Sequence, residues 1–101
     1  MKIWEMFEPC YELHYPETSP HIFACSVDIL AWKKREDYEQ HHEKCDIVAT
    51  ITGDIRYGNR HISITFHERD AKNYLQVKRA ISEAKEIISI ELDYAVSELY
   101  S

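Results

Sequence analysis

The sequence predicts an α+β fold: an antiparallel four-stranded sheet with a long C-terminal helix packed on one face. Three observations predict it. Residues 47–57 and 60–67 alternate between apolar and polar around Gly58-Asn59, the pattern of a half-buried β-hairpin. From Tyr74 the period lengthens: Tyr74, Val77, Ile81, Ala84, Ile88, Ala95 and Leu99 form one stripe, widened by Leu92 and Val96, which is helical spacing. Upstream, Phe23, Cys25, Val27, Ile29 and Ala31 alternate again, as a further strand would.

Taken in order, residues 3–15 hold short alternating pieces interrupted by Pro9, with Tyr11, Leu13 and Tyr15 on one face and Glu12 and His14 on the other. Proline donates nothing to a ladder, so Pro9 marks an edge strand or a bulge. Pro16-Glu17-Thr18-Ser19-Pro20 reads as a turn or loop. Residues 21–31 fit a strand best. A helix capped by Ser19 with Pro20 at its first position is the rival. Residues 33–44 are highly charged and lack β-branched side chains. They predict a short exposed helix or ordered loop with Tyr38 and His42 turned inward.

A two-residue turn at Gly58-Asn59 sets Tyr57 opposite Arg60 and pairs Ile55 with Ile62, Gly53 with Ile64 and Ile51 with Phe66. The other face then pairs Arg56 with His61, Asp54 with Ser63, Thr52 with Thr65 and Thr50 with His67. A slip of one residue would destroy this sorting. Gly53 either relieves crowding or marks a bulge near packed Ile64 or a helix. The helix runs over about 28 residues, roughly 42 Å if continuous, with Asp70 as its cap. That length predicts an overhang beyond a small sheet, and an apolar overhang calls for a second chain, so a homodimer through the C-terminal helix is expected. A heptad is only partly present, because the second position runs Val77, Ala84, Glu91, Glu98.

The 101 residues, 45% hydrophobic and 30% charged, suit one folded domain spanning the chain. The formal net charge is -6. It is spread unevenly: -4 over residues 1–31, 0 over 32–67 and -2 over 68–101. A net acidic chain does not bind nucleic acid by general electrostatics, whereas a basic protein partner is favoured. Cys10, Cys25 and Cys45 make an odd number without a CxxC pair, so no even disulfide framework exists. No signal-like apolar stretch opens the chain and no apolar run is long enough to span a membrane. A reducing, cytoplasmic setting is the simplest expectation. No motif calls for a cofactor.

Candidate sites follow from residue types and spacing. The expected function is a small acidic protein-interaction module, an inhibitor or adaptor that sterically masks a basic partner surface. Such masking uses aromatic anchors and steering carboxylates. The candidates are Trp4, Tyr11, Tyr15 and Tyr100, with Glu91, Asp93 and Glu98. A mimic of DNA is a sharper version, disfavoured by the modest net charge. A metal-dependent or small-molecule enzyme is one alternative. His41, His42 and Cys45 carry zinc-donor chemistry, and a helix would set His41 and Cys45 on one side. Cys45 with His42 is a weaker nucleophile–base pair, and His61 and His67 beside Asp54 and Arg56 are acid–base candidates. Nucleic-acid binding is the other alternative, through Lys72, Lys78, Arg79 and Lys85. Of these, Lys72 with Arg79 and Lys78 with Lys85 are spaced to share helix sides. From Glu86 onward the helix carries Glu86, Glu91, Asp93 and Glu98 and no base, which opposes its macrodipole.

Overall fold

In a computed structural model, residues 3–14 and 22–100 are described, with the side chains of residues 11–14, 22, 99 and 100 excepted. Tyr15 and the expected turn at 16–20 lie outside them. The elements are β1 (Met6–His14), β2 (Ile22–Trp32), α1 (Arg35–Gln40), β3 (Asp46–Arg56), β4 (Asn59–Phe66) and α2 (Leu75–Tyr100), with a 3-10 turn over Arg69–Asn73 before α2. The strands lie in the order β1-β2-β3-β4, every neighbouring pair antiparallel. The α+β architecture is as the periodicities predict, and residues 22–32 are strand rather than helix.

Alternation decides which face is covered. Cys25, Val27, Ile29 and Ala31 of β2, and Ile51 and Ile55 of β3, are fully buried. They meet Val77, Ala84, Ile88 and Leu92 of α2 in one core, where each large aliphatic side chain contributes about 1.5–3 kcal/mol of burial. Pro9 sits on outer strand β1 opposite Ile29, where its missing N–H is tolerated. β3 carries a bulge. Ile29 faces Ala49 but Leu30 faces Ile47, leaving Val48 as the extra residue. The bulge lets both Val48 and Ala49 reach the core, each fully buried. The irregularity is therefore at Val48, and Gly53 stays in register between Cys25 and Ile62.

The hairpin register differs from the expected one by a two-residue slip. The turn is Tyr57-Gly58, with Arg56 opposite Asn59, Ile55 opposite Arg60, Gly53 opposite Ile62 and Ile51 opposite Ile64. Tyr57 (φ 52) and Gly58 (φ 86) both take positive φ, as a type I′ turn requires, and this turn matches the twist of the flanking strands. A slip of two preserves the sorting of faces, so apolar and polar sides stand as expected while every partner changes.

Asp70 does not cap the helix. It lies within the 3-10 turn, and Tyr74 is extended (φ -86, ψ 130), so α2 begins at Leu75. The Tyr74 carbonyl accepts the first helical bond, from Lys78 N–H at 3.1 Å. Tertiary contacts hold Tyr74 in that geometry. Its ring packs on Trp4 and Phe7, and its hydroxyl accepts the N–H of Ile3 at 2.8 Å and of Trp4 at 3.3 Å. The helix is close in length to the strands it lies on. β2 and β3 are 11 residues each, roughly 36 Å, against roughly 39 Å for the 26 residues of α2. The helix is seated on β1, β2 and β3 as far as Ala95, 4% exposed.

Candidate functional site

The outer side of α2 is the surface its own packing leaves over. Once Val77, Ile81, Ala84, Ile88, Leu92 and Ala95 face the sheet, Glu86, Ile90, Tyr94 and Glu98 fall at successive four-residue steps on the opposite side, all exposed. Ile90 is 65% and Tyr94 67% exposed. The result is a ridge about 18 Å long with a carboxylate at each end and two apolar side chains between. A shallow concavity lined by Ser82, Lys85, Glu86, Ser89 and Ile90 flanks its N-terminal end. The first turn of α2 carries no acid and the last no base, so these charges are not placed to complement the helix dipole.

The expected anchors divide. Trp4 is corrected: it is 2% exposed, a core residue whose indole N–H donates to Asp46 Oδ2 at 3.0 Å. Tyr11 and Tyr100 lie on β1 and at the end of α2; their side chains, like Tyr15, are outside the described set. Asp93 is exposed but ion-paired to Arg60 of β4, and Glu91 is half-buried. Glu98 is exposed at the end of the ridge. Ile90 and Tyr94 are the two surface residues that the sequence patterns did not single out. Their signal is an apolar pair four apart lying off the core stripe.

The sheet face opposite α2 is polar. Thr50 Oγ1 donates to Asp28 Oδ1 at 2.8 Å and lies 2.7 Å from His67 Nε2. A hydroxyl has one proton to give, so His67 Nε2–H donates to Thr50. Asp54 pairs across the strands with His61; its Oδ1 has no hydrogen-bond partner and lies 3.9 Å from Arg56 Nε. His61 and His67, six residues apart on an extended chain, are separated by about 20 Å, so they do not form one acid–base pair.

At the corner of that face, Trp32 packs against Tyr38 and His42, the two inward contacts expected of this segment. The Trp32 indole N–H donates to the His42 carbonyl at 3.0 Å, and His42 Nε2 lies 3.5 Å from Glu8. The helical placement of His41 and Cys45 is corrected. α1 ends at Gln40 and His41 is its C-cap, so four-residue spacing no longer aligns them. Among the described residues, no three His, Cys, Asp or Glu side chains converge as a metal site would require.

The basic residues are also rearranged. Lys78, Arg79 and Lys85 are exposed on the first half of α2, whereas Lys72 lies in the 3-10 turn. The extended Tyr74 breaks the helical phase between Lys72 and Arg79, so the first expected pair is lost and Lys78 with Lys85 remains. No helix among the described residues is long and apolar enough to cross a membrane. No protein-family model, curated protein or solved structure matches the chain.

Proposed function

We propose that the protein is a small acidic interaction module that masks a basic surface of a partner protein through the outer ridge of α2. One observation carries this reading: Ile90 and Tyr94, each about two-thirds exposed, lie between Glu86 and Glu98 on a helix half with no lysine or arginine. An aromatic and an aliphatic side chain held on a rigid helix form a compact anchor. Flanking carboxylates steer a positive surface toward it and set its register. Glu98 lies in the last turn of α2, where a carboxylate opposes the helix dipole, and holding the helix is not what it contributes, which supports a role in binding.

The test is a photo-crosslinker placed at position 94 in an extract of the source cells, followed by binding measurements with the captured protein. The expected result is one basic protein whose affinity drops about tenfold or more with Tyr94→Ala. Glu86→Gln with Glu98→Gln is expected to slow association and weaken its salt dependence. Affinity unchanged by Tyr94→Ala and Ile90→Ala would overturn the proposal.

A further inference from the structure

The two outer strands of the sheet are built differently. β1 carries Pro9, Glu8 and Glu12 and a register irregularity between Cys10 and His14, devices that discourage another strand from pairing there. β4, Asn-Arg-His-Ile-Ser-Ile-Thr-Phe, has no proline, lysine, acid or bulge over its eight residues. α2 lies over β1, β2 and β3, so the apolar row of β4 is incompletely covered: Ile62 is 42% and Phe66 40% exposed, with Ile64 half-buried between them.

The hairpin geometry fixes which backbone groups of β4 are unused. A two-residue turn makes Arg56 and Asn59 a mutually hydrogen-bonded pair. By alternation, His61, Ser63 and Thr65 also face β3. The same series continues in the His67 N–H, which donates to the Val48 carbonyl at 2.9 Å. The N–H and C=O groups of Arg60, Ile62, Ile64 and Phe66 therefore point away from the sheet, on the residues whose apolar side chains α2 leaves uncovered.

We infer that β4 is the interface of a homodimer, in which two copies pair their β4 strands antiparallel about a two-fold axis at Ile64. In that register Ile64 faces Ile64 of the second copy on the axis, and Ile62 faces its Phe66 and Arg60 its Glu68, the last two contacts each made twice as an isologous interface requires. The Glu68 N–H is held by the Val48 carbonyl at 3.3 Å and its carbonyl by the Ala71 N–H at 3.1 Å, so backbone pairing between the copies ends at Phe66 and Glu68 meets Arg60 through its exposed side chain alone. Charge complementarity selects this register and a second copy as occupant. A shift of two residues either way sets Arg60 against Phe66 or Ile62 against Glu68, and a shift of one opposes outward to inward backbone groups. Arg60 then bridges Asp93 of its own chain and Glu68 of the second copy, which its five donors permit. The two four-stranded sheets become one of eight strands, with both helices on one side. This interface is separate from the outer ridge of α2.

Sedimentation velocity from micromolar to millimolar concentration tests it. Wild type is expected to dimerise. Ile64→Lys, and Ile62→Lys at the more exposed position, are expected to be monomers with unchanged circular dichroism. Arg60→Glu and Glu68→Arg each set like charges together twice and should each weaken the dimer by about tenfold. An equimolar mixture of these two variants, in which both contacts become opposite in charge, should restore it. A monomeric wild type at every concentration overturns the inference. So does a dimer that survives Ile62→Lys and dissociates with Tyr94→Ala, since that interface would lie on α2.

Discussion

Ile88 stands directly over Gly53. A Cβ at position 53 would fall well inside van der Waals distance of Ile88 Cγ2 and 3.2 Å from Leu92 Cδ1. The absence of a side chain in the middle of β3 is therefore what lets α2 settle onto the sheet. Gly58 serves a different need: nothing lies within 4 Å of where its Cβ would be, and its positive φ is the requirement.

Gly53→Ala is expected to destabilise the fold by about 1–3 kcal/mol, the usual cost of overpacking a filled core. Ile88 is β-branched on a helix and cannot swing its Cγ2 away cheaply. Leucine at 88 has no such methyl, so Ile88→Leu should recover part of the loss in the Gly53→Ala background while costing stability on its own. Urea unfolding of the four proteins measures the coupling. Additive effects would mean that Ile88 is not the group that excludes a side chain at 53.

The pair Trp4 and Asp46 joins the N-terminal segment to the start of β3. The indole N–H lies in a side chain that is 2% exposed, and Asp46 Oδ2 accepts it at 3.0 Å. Asp46→Ala leaves that donor without a partner and should cost about 1–3 kcal/mol. Asp46→Asn keeps an oxygen acceptor and should cost less. Equal losses in the two variants, followed by tryptophan fluorescence during unfolding, would show that the bond is not what Asp46 contributes.

Periodicity made the sheet, the long helix and the polar and apolar faces legible, because each is written repeatedly along the chain. Details resting on one residue were not. The turn moved to Tyr57-Gly58 because strand twist favours positive φ at both central positions, and tyrosine does not advertise that conformation. The helix start moved to Leu75 because Trp4 and Phe7, seventy residues away, hold Tyr74 extended. Trp4 reads from sequence as a surface anchor because its partner Asp46 lies 42 residues away. The charge reversal along α2 was visible at once. Which apolar residues of α2 stay outside, Ile90 and Tyr94 among them, depends on which side of the helix the sheet covers.

Cys25 lends the fold a dependence on alkaline pH. The thiol is fully buried on β2. Burial raises its pKa from the ordinary 9.0, the Glu91 carboxylate raises it further, and a backbone hydrogen bond at Gly53 works in the opposite direction. In the unfolded chain the thiol ionises near 9.0; in the fold it keeps its proton to higher pH. Above that value the folded state holds more protons than the unfolded state, so stability falls as pH rises. Below it both states are protonated and the contribution is fully present. The limiting slope from one such group is about 1.4 kcal/mol per pH unit. Subtracting the pH profile of Cys25→Ala from that of wild type isolates this contribution from tyrosine and lysine titrations. The difference should be flat below pH 9.0 and bend downward above it. Thiol alkylation supplies the structural counterpart: half-buried Cys10 and Cys45 should react in the native protein, and Cys25 only at the rate of unfolding. A difference profile that stays flat at alkaline pH, or rapid native labelling of Cys25, would place that thiol in contact with water and outside the core.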